Sequence, residues 1–144
     1  MIEQDTIKLL RECDAGVKMG IDSIEDVVEK AEACGLKKYL ENCKRDHETL
    51  DREIQELLKC YDDEGKEPSA VSKGMSWMKT NAKLMMDESD ATIADLMTDG
   101  CNMGVKSLSR YLNQYKAADE QSKDIAKRLV NLEERLAIDI RPYL

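Results

Sequence analysis

The 144-residue chain carries 30 acidic and 22 basic side chains, which gives a formal net charge of −8 and a pI near 4.8. This acidity argues against a nucleic-acid-binding protein, which must present a basic face to phosphates, and no basic cluster indicates binding to an anionic membrane. With 36% charged residues, 4% aromatic residues and no Phe, the composition favours a bundle of helices built on aliphatic stripes over a sheet protein.

The first residues are acidic and contain no long apolar run. We therefore expect neither a signal peptide nor a transmembrane span, and a cytoplasmic location. The five cysteines form no Cys-x-x-Cys pair, so we expect reduced thiols that behave as small apolar side chains.

Apolar residues at helical spacing predict four long helices and one short one. The long helices are expected over residues 4–33, 36–62, 90–115 and 118–140. Gly35 is expected to end the first of them with a left-handed cap. The polar stretch at 62–68 predicts a loop, and the residues after it predict a short helix over about 70–86.

One sequence pattern occurs twice, as GVKMGIDSI at 16–24 and as GCNMGVKSL at 100–108. The offset of 84 also superimposes the apolar stripe of the first helix on that of the third, and an offset of 82 superimposes the second on the fourth. The chain is therefore predicted to be one domain made of two similar helical hairpins, at 1–62 and 90–144, joined by a crossover at 63–89.

The crossover decides the expected topology. Short turns make the two helices of each hairpin antiparallel neighbours, but about 26 residues are too many for a simple turn. A helix within the crossover would span roughly 25 Å, so the third helix can begin at the opposite end of the bundle. The prediction is an all-α, up-down-down-up four-helix bundle whose long crossover contains an additional short helix.

This organisation resembles the ferritin-like superfamily over nearly the whole chain. The resemblance rests on the two hairpins, the long helices and the crossover with its own short helix. It is greatest to uncharacterised bacterial ferritin-like bundles that also carry a short helix in the crossover. The resemblance implies a fold that often holds two iron ions, with one Glu from each of two helices and a Glu-x-x-His pair from each of the other two.

The residues themselves argue against a di-iron site. Asp14 lies on the core stripe of the first helix, but its counterpart in the second hairpin is Thr98. His47, the only histidine, lies on the stripe of the second helix, but Lys44 stands three residues before it. The counterpart of His47 is Leu129. Four or more of the required ligands are therefore absent.

We interpret His47 as a core histidine with a hydrogen-bond partner, and Asp14 as part of a polar layer that pairs with Thr98 or a lysine. A single-metal site formed by His47 with Cys43 or Asp14 is the alternative, but His47 and Cys43 offer two ligands where zinc takes three or four. Asp14 is expected to lie roughly 10 Å from His47 along the bundle, too far for one ion to bridge. We expect no catalytic residue, no metal and no cofactor.

The predicted crossover helix is rich in methionine, with Met75, Met78, Met85 and Met86 on one face near Trp77. Such a face is typical of adaptable packing across a bundle. A surface for a partner protein, a copper(I) site and a small-molecule cavity beneath the helix are the alternatives.

Four glycines of the repeated pattern stand in the middle of helices, where each costs about 1 kcal/mol relative to Ala. We predict that they form a seam between the halves, with Gly16 close to Gly104 and Gly20 close to Gly100. The alternative is an exposed row that seats a second subunit. The sequence thus predicts a non-enzymatic bundle with a structural or protein-binding role, with a second copy of itself in a homodimer or an unidentified protein as the candidate partners. A degenerate metal-binding or redox protein is the runner-up.

Overall fold

The computed structural model describes residues 2–66 and 89–144. Within these ranges the chain forms helices and no strand, which confirms the all-α prediction. The elements are α1 (Ile2–Val28), α2 (Cys34–Cys60), α3 (Asp90–Gln114), α4 (Glu120–Asp139) and a closing 3-10 helix (Arg141–Tyr143). The short helix predicted over 70–86, with its methionines, lies outside the described residues.

Gly35 does not end α1, contrary to the prediction. It lies in the first turn of α2, and a Cβ atom at this position would overlap the hydroxyl of Tyr143. The turn between α1 and α2 is held instead by Asp90, whose carboxylate accepts the backbone N–H groups of Glu32 and Ala33 at 2.8 and 2.9 Å. Because these contacts fix the turn, α1 ends earlier and α2 begins earlier than the apolar pattern indicated.

The hydrogen bonds at the helix ends set the directions of the helices. Asp90 places the start of α3 beside the α1–α2 turn. At the opposite end, Asp5 of α1 accepts the backbone N–H of Ala117 at 3.0 Å, and Thr6 accepts that of Asp119 at 2.8 Å. The α3–α4 turn therefore lies beside the first residues of α1, so α3 runs in the same direction as α2 and opposite to α1 and α4.

The four helices do not form a square. Among the described residues, α1 packs against each of the other three helices and so does α4, whereas α2 and α3 lie at far corners. The close diagonal of the bundle is therefore α1–α4. Side chains of α1 that point inward meet α2 and α4 at the bundle centre.

Within residues 2–66 and 89–144, the buried apolar side chains form two separate cores. The first core surrounds the α1–α2 turn and contains Ile24, Val27, Val28, Ala31, Leu36, Leu40, Cys43, Ile93, Ala94, Leu96, Met97, Cys101, Leu136 and Ile140. The second core lies toward the other end and contains Leu9, Leu10, Cys13, Val17, Leu50, Ile54, Leu58, Leu108, Ala118, Ile125, Ala126 and Leu129. A polar layer separates them.

Each helix contributes one residue to this central layer, at the point where its neighbours change from one core to the other. The central layer consists of Gly20 of α1, His47 of α2, Gly104 of α3 and Glu133 of α4. In a four-helix bundle this is the level at which facing helices can build a site from inward-pointing side chains.

Candidate functional site

His47 is the centre of the polar layer and is only 1% exposed. Its Nδ1 lies 2.8 Å from the carbonyl oxygen of Cys43 and 3.5 Å from the sulfur of the same residue. Its Nε2 lies 2.9 Å from Oε1 of Glu133. A thiol, an imidazole and a carboxylate therefore stand in series, and we refer to Cys43, His47 and Glu133 as the Cys–His–Glu relay.

The partners of His47 require a proton in the relay. A carbonyl oxygen can only accept a hydrogen bond, so Nδ1 carries a hydrogen. Nε2 faces a carboxylate oxygen, and that contact also needs a proton between the two atoms. Burial lowers the pKa of His47, but the hydrogen bonds to Cys43 and Glu133 and their charges raise it more, to about 10. His47 is therefore an imidazolium at neutral pH, balanced by Glu133.

Two glycines of the repeated pattern make room for the relay. A Cβ atom on Gly20 would lie 2.8 Å from Nε2 and 2.9 Å from Cδ2 of His47. A Cβ atom on Gly104 would lie 3.4 to 3.5 Å from the side chain of Glu133. The absence of a side chain at Gly20 is thus what allows the imidazole to lie between α1 and α4.

The predicted glycine seam is wrong in its partners. A Cβ atom on Gly16 would meet only Leu129, at 3.7 Å, and one on Gly100 would meet no described atom within 4 Å. Gly20 faces α2 and α4 rather than Gly100, and Gly104 faces α4 rather than Gly16. The physical reason is the close α1–α4 diagonal, which brings side chains of α2 and α4 into the space that the prediction reserved for contact between α1 and α3.

Alanine substitutions distinguish a required glycine from a tolerated one. We expect Gly20→Ala to lower the free energy of unfolding by about 1–3 kcal/mol, because the imidazole must move and its hydrogen bonds weaken. The matched control Gly100→Ala is expected to raise stability by up to about 1 kcal/mol through helix propensity. Urea unfolding followed by circular dichroism measures both, and equal stability of the two variants would contradict the role assigned to Gly20.

Cys101 of α3 also contacts the central layer, through Glu133. Burial raises the pKa of its thiol, and the charge of Glu133 and a hydrogen bond to it raise that pKa further. Its side chain is 1% exposed. The thiol of Cys43 thus interacts with the imidazole, and the thiol of Cys101 interacts with the carboxylate.

Sequence reasoning missed Glu133, although a signal for it exists. Glu133 stands four residues after Leu129 and three before Leu136, so it lies on the inward edge of the α4 stripe. The offset of 82 paired His47 with Leu129, one helical turn before the residue that it contacts. The rule that a buried imidazole needs partners points to this carboxylate once α4 is placed beside α2.

The centre of the bundle does not fit the di-iron ligand set. That set needs inward carboxylates or histidines from all four helices, but α1 and α3 contribute glycines at this level. Both ring nitrogens of His47 already have partners within the protein. Across residues 2–66 and 89–144, no group of three or more His, Cys, Asp or Glu side chains is placed to hold a metal ion.

Asp14 belongs to a different cluster and shares no partner with His47 among the residues that the structure describes. It is fully buried and accepts hydrogen bonds from Lys18 Nζ at 3.0 Å, from Gln55 Nε2 at 2.6 Å and from the backbone N–H of Lys66 at 2.9 Å. The predicted lysine partner is found. Thr98 is not a partner, and its buried hydroxyl makes no hydrogen bond to a described residue.

Asp14 anchors the chain just after α2. Gly65 has a positive φ of 88°, and its N–H bonds to Asp63 Oδ1 at 2.8 Å. A Cβ atom on Gly65 would overlap the Asp14 carboxylate, so only glycine allows both the turn and the close approach. The cluster therefore fixes residues 63–66 against α1 by a bond to a buried charge.

This cluster disfavours the ionised form of the Asp51 side chain in the folded protein. Burial and the hydrogen bond and charge of Asp14 raise its pKa to about 6, although Gln55 and Lys18 act in the opposite direction. A carboxyl group whose folded-state pKa is raised above the unfolded value of 3.8 lowers stability above pH 6, and the penalty disappears as pH falls toward 4.

We therefore expect Asp51→Asn to stabilise the protein by up to about 1 kcal/mol at pH 7.5. The gain should vanish below about pH 4, where the carboxyl group is protonated in both states. Thermal unfolding of both proteins at the two pH values provides the comparison. A variant that is less stable than the wild type at pH 7.5 would contradict this account.

A groove of about 630 Å³ lies on the outer surface between α2 and α4. Leu50, Leu132 and Ile138 form its apolar part, and its rim carries a bidentate ion pair between Arg128 and Glu53 with two N–O distances of 3.0 Å. None of the sequence-predicted candidates His47, Cys43 and Asp14 lines this groove.

A comparison with known protein families, with curated proteins and with solved structures gives no match. Among the described helices, none is long and apolar enough to cross a membrane.

Proposed function

We propose that the protein is a non-enzymatic four-helix bundle of ferritin-like type that lacks the di-iron site and has a structural or protein-binding role. It is a single cytoplasmic domain in this proposal, with hairpins at 1–62 and 90–144 and a crossover at 63–89. The directions of α1 to α4 and their pairing into two hairpins support the assignment to this class.

The observation that carries the proposal is the state of the buried polar groups. In ferritin-like metal proteins the inward side chains leave lone pairs free for iron. Here Glu133 bonds to His47, and both nitrogens of His47 have partners. Asp14 likewise has three internal donors. These groups satisfy one another, which supports a role in fixing the register of the helices rather than in binding a substrate.

The metal content of the protein tests this proposal. Protein purified without chelators is expected to contain less than about 0.1 equivalent of iron, manganese or zinc, because a site with fewer than three free ligands binds these ions weakly. Light scattering on the same preparation reports whether the chain assembles with itself. About one equivalent of metal that is lost in His47→Leu but kept in Asp14→Asn would overturn the proposal.

The second candidate is a protein whose thiols carry a redox or metal function. The contact of 3.5 Å between Cys43 and His47 favours it, since an imidazolium beside a sulfur atom stabilises negative charge there. If the metal analysis above finds bound metal, that result supports the metal-binding form of this candidate. If it finds none, the redox function of the thiols is the form that remains.

A further inference from the structure

The order of groups in the Cys–His–Glu relay is the one that activates cysteine nucleophiles. The sulfur of Cys43 lies on the Nδ1 side of the imidazole at 3.5 Å, and the carboxylate of Glu133 lies on the Nε2 side at 2.9 Å. In enzymes with this arrangement the carboxylate orients the imidazole and stabilises its positive charge, and the imidazole in turn stabilises a thiolate.

The surroundings hold the imidazole in that position. Gly20 leaves the space that the ring occupies, and the carbonyl oxygen of Cys43 fixes the hydrogen on Nδ1 at 2.8 Å. That hydrogen is therefore donated to the carbonyl oxygen of Cys43, and the sulfur of Cys43 lies 3.5 Å from the nitrogen that carries it. Contacts from α1, α2 and α4 therefore hold the positively charged imidazole of His47 beside the thiol of Cys43.

Burial restricts what can reach the sulfur. Cys43 is 7% exposed, compared with 0% for Cys13 and 1% for Cys101. An exposed fraction this small is expected to exclude a peptide or a bulky disulfide and favours a reactant close in size to water. A thiolate in such a place reacts best with a small neutral oxidant, since a charged one would have to lose its water.

We propose that Cys43 is a peroxide-reactive thiol that is oxidised stoichiometrically by hydrogen peroxide or by a neutral oxidant of similar size. The sulfur attacks one peroxide oxygen, so an S–O bond forms and the O–O bond breaks. The sulfur loses two electrons and the peroxide gains them. The Cys43 thiol releases its proton to water before the attack, the attacked oxygen keeps its hydrogen as the sulfenic acid hydroxyl, and the departing hydroxide takes a proton from His47 and leaves as water. His47 then regains a proton from the solvent, so one thiol and one peroxide give one sulfenic acid and one water. This goes beyond the structural role proposed above.

The other cysteines provide internal controls within the wild-type protein. Cys13 is buried like Cys43, but burial and the charges of Glu12 and Asp14 raise the pKa of its thiol to about 12. Cys34 and Cys60 are exposed. A comparison of the oxidation rates of the five cysteines therefore separates the effect of the imidazole from the effects of burial and exposure.

The test treats native protein with hydrogen peroxide for increasing times and stops the reaction with catalase. The protein is then unfolded in the presence of dimedone, and mass spectrometry of peptides gives the oxidised fraction at each cysteine. We expect Cys43 to be oxidised about tenfold faster than Cys13 and faster than exposed Cys60. A rate at Cys43 no higher than that at Cys13 overturns the proposal, and this comparison requires no variant.

Two further measurements assign the reactivity to the relay. His47→Leu is expected to lower the rate at Cys43 about tenfold, whereas the surface control Glu53→Gln leaves it unchanged. Ellman's reagent, a bulky disulfide, is expected to modify Cys34 and Cys60 but not Cys43. Modification of Cys43 by Ellman's reagent as fast as by peroxide would show that unfolding exposes the sulfur, and this also overturns the proposal. These measurements of thiol reactivity do not depend on the metal content of the protein, so they test this proposal separately from the proposed function.

Discussion

Replacing Glu133 with leucine is expected to lower the free energy of unfolding by about 3–5 kcal/mol at pH 7, because it leaves a buried imidazolium without its carboxylate. His47→Leu is expected to cost less, about 1–3 kcal/mol, because Glu133 is 12% exposed and retains contact with water. The double variant with leucine at both positions is expected to recover most of the loss, since two apolar side chains then join the two cores.

The double-mutant cycle isolates the interaction between these two side chains, and urea unfolding supplies its four stabilities. Glu53→Leu is the matched control, because it removes a glutamate from an ion pair with Arg128 in which both side chains are more than 40% exposed. Such surface pairs contribute about 1 kcal/mol or less. If Glu133→Leu costs no more than Glu53→Leu, the buried pair does not stabilise the bundle as described.

The pH dependence of this contribution has a definite sign. The folded-state pKa of His47, about 10, lies above the value of about 6.5 for an unfolded histidine. Between these values the folded protein holds a proton that the unfolded chain has released, so stability falls as pH rises. The contribution of the relay is therefore complete below about pH 6.5 and is lost toward pH 10.

Asp14→Asn is expected to lower the free energy of unfolding by about 3 kcal/mol. The amide keeps the size of the side chain but removes the charge that attracts Lys18, and its NH₂ group faces a donor, from either Gln55 or Lys66. Because Lys66 N–H bonds directly to this carboxylate, the substitution is also expected to expose residues 63–66 to limited proteolysis.

Asp5→Asn serves as the control for Asp14→Asn. Asp5 also accepts a backbone N–H, that of Ala117 at 3.0 Å, but in an exposed position. The loss of one exposed hydrogen bond is expected to cost about 1 kcal/mol or less. Similar unfolding free energies and similar proteolysis of the two variants would show that the buried anchor has no special role.

The sequence was sufficient for the helices and for their apolar faces. The stripes of Leu, Ile and Val at helical spacing predicted each of α1 to α4 to within a few residues at most ends. The largest error was at the end of α1, where Asp90 holds the backbone of Glu32 and Ala33. That contact joins residues almost 60 positions apart, so no local pattern contains it.

The site was predictable only in part, because its chemistry depends on which helices lie closest. His47 and Asp14 were recognised as polar residues on core stripes, and both are buried. Glu133 and the neighbours of Gly20 could not be derived, since they depend on the close α1–α4 diagonal. In a symmetrical bundle Gly20 would face α3, as we predicted, whereas here it faces the imidazole.

The central claim is that the middle of the bundle is occupied by a protonated His47 between Cys43 and Glu133, and not by a metal ligand. The chain has one histidine, so ¹⁵N NMR of the imidazole reports this residue alone. We expect both ring nitrogens to carry protons at pH 7.5 and the ring to lose one only near pH 10. A ring that titrates near its usual pKa of about 6.5, or one nitrogen without a proton at pH 7.5, would contradict the claim.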